Sequence, residues 1–491
     1  MLFNSLQFLI FFPVVVLLYF IVPHAYRWGL LLLASCYFYM CWRPAYILVL
    51  FVLIGIDFWV GLTMLKTPDK RKRKIYLTLS LLSNLSILFF FKYFGLFQES
   101  LNFLLDTVHA GFHAPAWSLV LPIGVSFHTF QAMGYSVDVY EDRILPERNL
   151  GIFALFVFFF PQLVAGPIER AKRLIPQFYE RHSFEIPRAL DGLKLMAWGY
   201  FKKWVVADRL TLFVQVVYSH PTYYQGFPLM LATLLFAFQI YADFSGYSDI
   251  ALGAAQIMGF RLVLNFNRPY SSKSVSEFWK RWHISLSSWF RDYVYIPLGG
   301  NRTVKWRWYY NILITFALSG LWHGARWNFL LWGVLNGFYL IGSIWTAPIR
   351  KSIVSLIGIS RLPVLHGWLQ RAITFSLICF SWIFFRANTF HDARYIAGHL
   401  FTGWGEFVHH LSELPYLKAN VFLNQGPLEF LIAVFAVFFM EVVQAQNQDE
   451  DVRSLCSKQS LWRRWMVYYV VCLSVLFLGV FRDVEFIYFQ F

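Results

Sequence analysis

Acidic residues are scarce in this chain. It holds 27 Asp and Glu against 42 Lys and Arg, and the four types together make up only 14% of it. So low a charge density, beside 58% hydrophobic and 21% aromatic residues, lies outside the range of water-soluble globular chains. Cysteine is almost missing too. Cys36, Cys41, Cys379, Cys456 and Cys472 have no metal-ligand spacing, and most lie in or beside apolar runs, where a thiol acts as a small hydrophobe. Neither a disulfide framework nor a metal site is expected. HExxH, GxSxG, Walker and GxGxxG patterns are absent, which removes support for metalloprotease, hydrolase-elbow and nucleotide-loop chemistry. No linker, internal repeat or low-complexity segment divides the chain. A single integral domain over 1–491 is therefore expected, closed at 466–491 by a terminal helix and an aromatic tail.

Long apolar runs are what the chain does have. They lie near residues 5–22, 28–42, 45–65, 75–97, 116–139, 150–165, 189–218, 228–258, 308–345, 369–385, 427–443 and 465–481. Measured against the roughly 20 residues that cross a bilayer, they predict an all-α polytopic membrane protein with about twelve crossings. The first run has no basic region before it and no cleavage-site pattern after it, so it reads as a membrane helix rather than a removed signal.

The net charge of +15 reads as topology rather than as a nucleic-acid footprint. The clusters "KTPDKRKRK" at 66–74 and "WRRW" at 462–465 are short and juxtamembrane, which places both in the cytoplasm. Three runs precede the first cluster and one follows the second. Both termini are thus expected outside the cytoplasm, which requires an even number of crossings.

The middle of the chain is polar and aromatic at once: "NFNRPYSSKSVSEFWKRWHISLSSWFRDYVYIPLGGNRTVKWR" at 265–307. Ser274 with Glu277 is a capping-box pattern that opens a helix. Phe278, Trp282, Leu286, Trp289 and Tyr293 then recur at helical spacing, as do Trp279, His283 and Phe290. Such a helix suits an interface or a cavity wall better than a lipid-facing span. The run 308–345 is too long for one ordinary span and too short for two with a turn, and Gly320 and Gly324 bracket His323 within it. A broken helix at membrane depth is expected there, and a second at "LVAGPIERAKR", residues 163–173.

Ionisable groups inside apolar segments call for a reason, since burial costs several kcal/mol unless they are paired or wet. His323 in a Gly-flanked break either bonds a freed carbonyl or does chemistry, and His283 beside aromatics either packs or takes part. Asp138, Asp243 and Asp249 read as ion-pair or hydrogen-bond partners, with an ion pathway as the sharper alternative. The remaining histidines lie mostly in loops or near span ends. A buried histidine, with its ordinary pKa of about 6.5, is a natural general base for a hydroxyl attacking an acyl donor. Tryptophan walls would exclude the water that hydrolyses a thioester.

The two stretches "RPYSSKSVSEFWKRWHISLSSWFRDYVYIPLGGNR" and "LSGLWHGARWNFLLWG" resemble the membrane-bound O-acyltransferase (MBOAT) family. The nearest branch is that of bacterial alginate O-acetyltransferases and related polysaccharide and peptidoglycan O-acetylation proteins, which also holds teichoic-acid D-alanyl transfer proteins. "FFPQLVAGPIERA", "YADFSGYSDIALGAA" and the final "FIYFQF" extend the likeness over nearly the whole chain.

The resemblance implies an MBOAT fold of helices, with re-entrant or interfacial pieces, around a central funnel. It implies that His323 is the catalytic base and His283 its second histidine. Trp279, Arg281 and Trp282 are expected to contact the donor, acetyl-CoA, which acts as a substrate with no bound cofactor. The expected setting is the bacterial inner membrane and its lipid, with an exported polysaccharide as acceptor and no role for nucleic acid. Peptidoglycan or cellulose acetylation, a transporter or flippase, and a non-catalytic scaffold stand as alternatives. Terminal aromatics are usually interfacial anchors, the expectation for Phe486, Phe489 and Phe491. Tyr488 alone in that motif carries a nucleophilic hydroxyl. It is expected to accept the acetyl group as an aryl ester and hand it to an extracytoplasmic SGNH-type acetyltransferase with its own serine nucleophile.

Overall fold

The computed structural model describes residues 1–109, 112–114, 122, 124–163, 166–446, 459–481 and 486–487. Every regular element among them is helical. Among the described residues, seven helices are long and apolar enough to cross a bilayer, and Leu6–Ile21 is a shorter apolar one. The sequence expectation of about twelve crossings counts apolar runs, several of which form short or interrupted helices instead. The run at 189–218, for example, folds as Ile186–Tyr200, a π-helical piece Phe201–Ala207, and Asp208–Ser219.

Contacts divide the chain into two compact units, residues 1–196 with 250–264, and residues 197–249 with 265–491. In the first unit, Tyr46–Lys66, Lys70–Leu88 and Val125–Tyr140 pack together around a buried carboxylate, Asp57. Ser80 Oγ and Asn84 Nδ2 donate to its two oxygens, the second at 2.8 Å, and Ser136 Oγ closes the set, so the charge sits in a net of donors. The basic cluster is folded in as well. Asp69 caps its helix by accepting from the Arg71 amide, and Arg73 reaches Asp142 at 2.7 Å and the carbonyls of Val139 and Tyr140. The break foreseen at 163–173 lies between the helix ending at Leu163 and the one starting at Ala171.

The second unit is organised by a helical hairpin. Lys305–His323 and Trp327–Trp345 are each 19 residues long and are joined by residues 324–326 alone. Two helices therefore fit where the sequence allowed only a broken one, because the turn consumes three residues. Close approach makes this possible. A methyl on Gly320 would land on the Phe329 carbonyl, and one on Gly333 on the Phe316 carbonyl, so the two backbones touch where side chains would hold them apart. Leu431, Phe435, Phe438, Leu476 and Phe477 point outward from this unit, as Leu33, Leu48, Val52 and Leu82 do from the first. Rows of exposed apolar side chains of this kind are solvated by hydrocarbon, not by water.

Candidate active site

His323 is the last residue of its helix. Gly324 turns the chain out with φ −162° and ψ 149°, and a side chain there would collide with the Phe329 ring, so the break and the tight return are built from one glycine. The imidazole is 4% exposed. Trp332 and Trp322 meet it edge-on at 5.0 Å between ring centroids, and Phe385 at 5.4 Å.

His283 lies 6.4 Å from His323, centroid to centroid. The single helix expected through 274–293 breaks here into Val275–Arg281 and Ile284–Phe290, with His283 between them in the left-handed region at φ 43°. The cause lies in the preceding segment. Asn265 accepts the Ile284 amide on its main-chain carbonyl at 2.9 Å, and the Asn267 amide bonds the Arg281 carbonyl at 2.9 Å. These cross-bonds satisfy groups that a continuous helix would have used, and the aromatic periodicity bridges a kink. Ser274 does cap the first piece, accepting from the Glu277 amide at 3.2 Å. The Glu277 carboxylate, however, receives the Lys273 amide rather than closing a full capping box.

Asn265 also sets the chemistry of His283. Its Oδ1 accepts from the Ser285 amide and hydroxyl at 3.3 and 2.9 Å and faces His283 Nδ1 at 3.1 Å. The Ser285 main-chain amide can only donate, which identifies that oxygen as the carbonyl, so Nδ1 carries the proton it donates. The lone pair of neutral His283 is then on Nε2. His283 is 1% exposed and lies against the Phe244 ring at 4.7 Å and Trp322 at 6.0 Å.

The three expected donor contacts separate. Trp279 lines a cavity of about 620 Å³ with Lys280, Ser287, Arg291, Phe316 and Ser319, and its ring meets Trp332 at 5.6 Å. Ser319 is one helical turn before His323, so the cavity follows the histidine's own helix. Trp282 is fully buried behind it, 5.0 Å from Trp382. Arg281 is turned to Glu277 at 2.7 Å, and the cationic lining comes from Lys280 and Arg291.

Of the tail, Phe486 and Ile487 are described; Tyr488, Phe489 and Phe491 lie outside the described residues. Phe486 is not the interfacial anchor expected of it. It is 0% exposed, 4.4 Å from the Tyr247 ring and 5.8 Å from Phe244, because Ile487 is held inward by the hydrogen bond its amide donates to Asp243. Sequence reasoning passed over Asn265, Trp332, Trp382, Phe385 and Lys203. Lys203 had a signal, a cation inside the apolar run 189–218. Asn265 had none, since its role depends on a pairing across 18 residues.

The sequence pattern of MBOAT, the membrane-bound O-acyltransferase family, matches residues 147–384. The chain is 37% identical over 446 residues to the probable alginate O-acetylase AlgI of Pseudomonas aeruginosa, covering 89% of this chain and 81% of that one. It is 33% identical over 458 residues to the peptidoglycan O-acetyltransferase of Helicobacter pylori, covering 87% and 84%. A teichoic acid D-alanyltransferase of Streptococcus thermophilus is 32% identical over 288 residues, covering 55% of this chain and 69% of the relative.

Proposed function

As the chain belongs to the membrane-bound O-acyltransferase family, we propose that it moves acetyl groups from cytoplasmic acetyl-CoA across the bacterial inner membrane, for O-acetylation of an exported polysaccharide such as alginate. The transporter reading open from the sequence gives way to this membership. The observation that carries the proposal is the pair of buried histidines, 6.4 Å apart, with one of them ending a helix at a glycine break.

The thioester approaches along the cavity beside Trp279, with Lys280 and Arg291 as counter-charges for the phosphates of the donor. Tyr488 is the acceptor. A phenol with a pKa of about 10 is a weak nucleophile near neutrality, and His323 takes its proton as the oxygen attacks the thioester carbon. The tetrahedral adduct collapses, the C–S bond breaks, and the departing thiolate recovers the proton from the histidinium. The products are free CoA and an aryl acetate on Tyr488. His283, its Nε2 lone pair fixed by Asn265, orients the acceptor hydroxyl, and the tryptophan walls keep water from the ester. A serine of an extracytoplasmic SGNH-type partner then attacks the aryl ester, Tyr488 regains its proton, and the partner passes the acetyl group to the glycan. The same steps serve a peptidoglycan acceptor, a second reading favoured by the Helicobacter pylori relative.

The test is to incubate the purified protein with isotopically labelled acetyl-CoA, without partner or glycan, and to map label by mass spectrometry. An acetyl group on Tyr488 that is missing in Tyr488→Phe is the expected result. Full glycan acetylation in cells carrying Tyr488→Phe contradicts the relay.

A further inference from the structure

A buried charge cluster in the second unit is left unused by the chemistry above. Lys203 Nζ lies 2.7 Å from Asp243 and 2.8 Å from Asp208, and all three are nearly fully buried. Two carboxylates around one ammonium leave an excess negative charge, which burial makes costly unless further donors reach it. Ile487 supplies one: its amide donates to Asp243 Oδ2 at 2.8 Å. The residue beside it, Phe486, packs on Tyr247, over which Lys203 Nζ also sits at 5.6 Å, and on Phe244. Phe244 is the ring that touches His283.

Residues 204–209 also grip the end of the helix that precedes the tail, Leu461–Leu478. The Trp204 carbonyl accepts the Val480 amide at 3.0 Å, the Trp204 ring meets Phe481 at 5.2 Å, and Arg209 bonds the Leu478 carbonyl while pairing with Glu429. Residues 203–209 with Asp243 thus hold the terminal segment at two places, 478–481 and 486–487.

We propose that Asp243, held in place by Lys203, is a positioning residue that docks the C-terminal tail against Phe244, the ring that touches His283, by accepting the Ile487 amide. The dock stands on the geometry; its use in catalysis rests on the tail-borne transfer proposed above, since Tyr488 is the residue that follows. The amide of Ile487 is the specific handle, because a carboxylate already shared with a lysine selects a donor and not a particular side chain.

Hydrogen exchange on the full-length, detergent-purified protein tests the dock. The Ile487 amide should be protected in the parent and exchange about ten- to a hundredfold faster in Asp243→Leu, the range for losing a hydrogen bond to a charged group. Amides of the Phe227–Met258 helix should be unchanged, and Lys203 keeps Asp208. Equal Ile487 exchange in parent and variant overturns the proposal. Ile487→Pro removes the donor and leaves the charge cluster whole. It should lower kcat for acetyl transfer as far as Tyr488→Phe does, with KM for acetyl-CoA unchanged, and parental kcat in Ile487→Pro where Tyr488→Phe has lost activity also overturns the proposal. A Tyr488→Phe protein with full activity, beside Asp243-dependent protection of Ile487, supports the dock and removes the relay alone.

Discussion

Asn265 decides which nitrogen of His283 is basic, so the two residues are coupled. In Asn265→Leu the Ser285 amide and the imidazole Nδ1–H lose their shared acceptor, and losing a buried acceptor costs about 1–3 kcal/mol. Acetyl transfer should fall by roughly tenfold or more, and His283→Ala should add little when combined with it, since both act on one interaction. Double-mutant kinetics check this; full additivity of the two losses contradicts it. His283→Ala by itself should lower activity to the same degree as His323→Ala or less, and a clearly larger loss reverses their roles. At this scale the sequence was legible where a residue type is out of place. A histidine between apolar runs draws notice whatever its partners are. Asn265, a common residue in a polar segment, acquires meaning only from the fold that brings it to His283.

The hairpin Lys305–His323 and Trp327–Trp345 depends on Gly320 and Gly333, and the expected effect of adding a methyl differs sharply along it. Gly320→Ala places a carbon on the Phe329 carbonyl and should destabilise the protein by about 1–3 kcal/mol, the usual cost of overpacking. Gly342→Ala, where nothing lies within 4 Å, should be neutral or stabilising by up to about 1 kcal/mol. Thermal unfolding in detergent separates the two, and equal midpoints contradict the close packing of these helices. Apolar runs marked most helices of the chain because hydrocarbon demands them, while the breaks were legible less evenly. Glycine and proline announced those at 163–173 and 324. The one at His283 was hidden, since its cause is a cross-bond from residues 265–267 and not a breaker residue. The periodicity of Phe278, Trp282, Leu286 and Trp289 continues through it undisturbed.

At the scale of the whole molecule, the proposed transfer of the acetyl group requires the tail to work on the outer side of the membrane. By the positive-inside rule, the basic clusters at 66–74 and 462–465 predict both termini there. A cysteine added after Phe491, in a chain whose native thiols are replaced, should react with a membrane-impermeant reagent in intact spheroplasts. Labelling only after lysis contradicts the topology and with it the outward relay. The family was legible from motifs spread along the chain, and relatives matched over most of its length bear this out. The acceptor glycan was not, because in the proposed relay the polysaccharide is read by a partner protein and leaves no trace in this chain. The proposed transfer passes through one imidazole, so the most direct measurement is acetyl transfer by purified His323→Ala, with its thermal unfolding midpoint recorded alongside. Loss of the general base should lower the rate by about 10²–10⁴, with the protein still folded and still binding acetyl-CoA. Transfer at the parental rate in that folded variant would contradict the assignment.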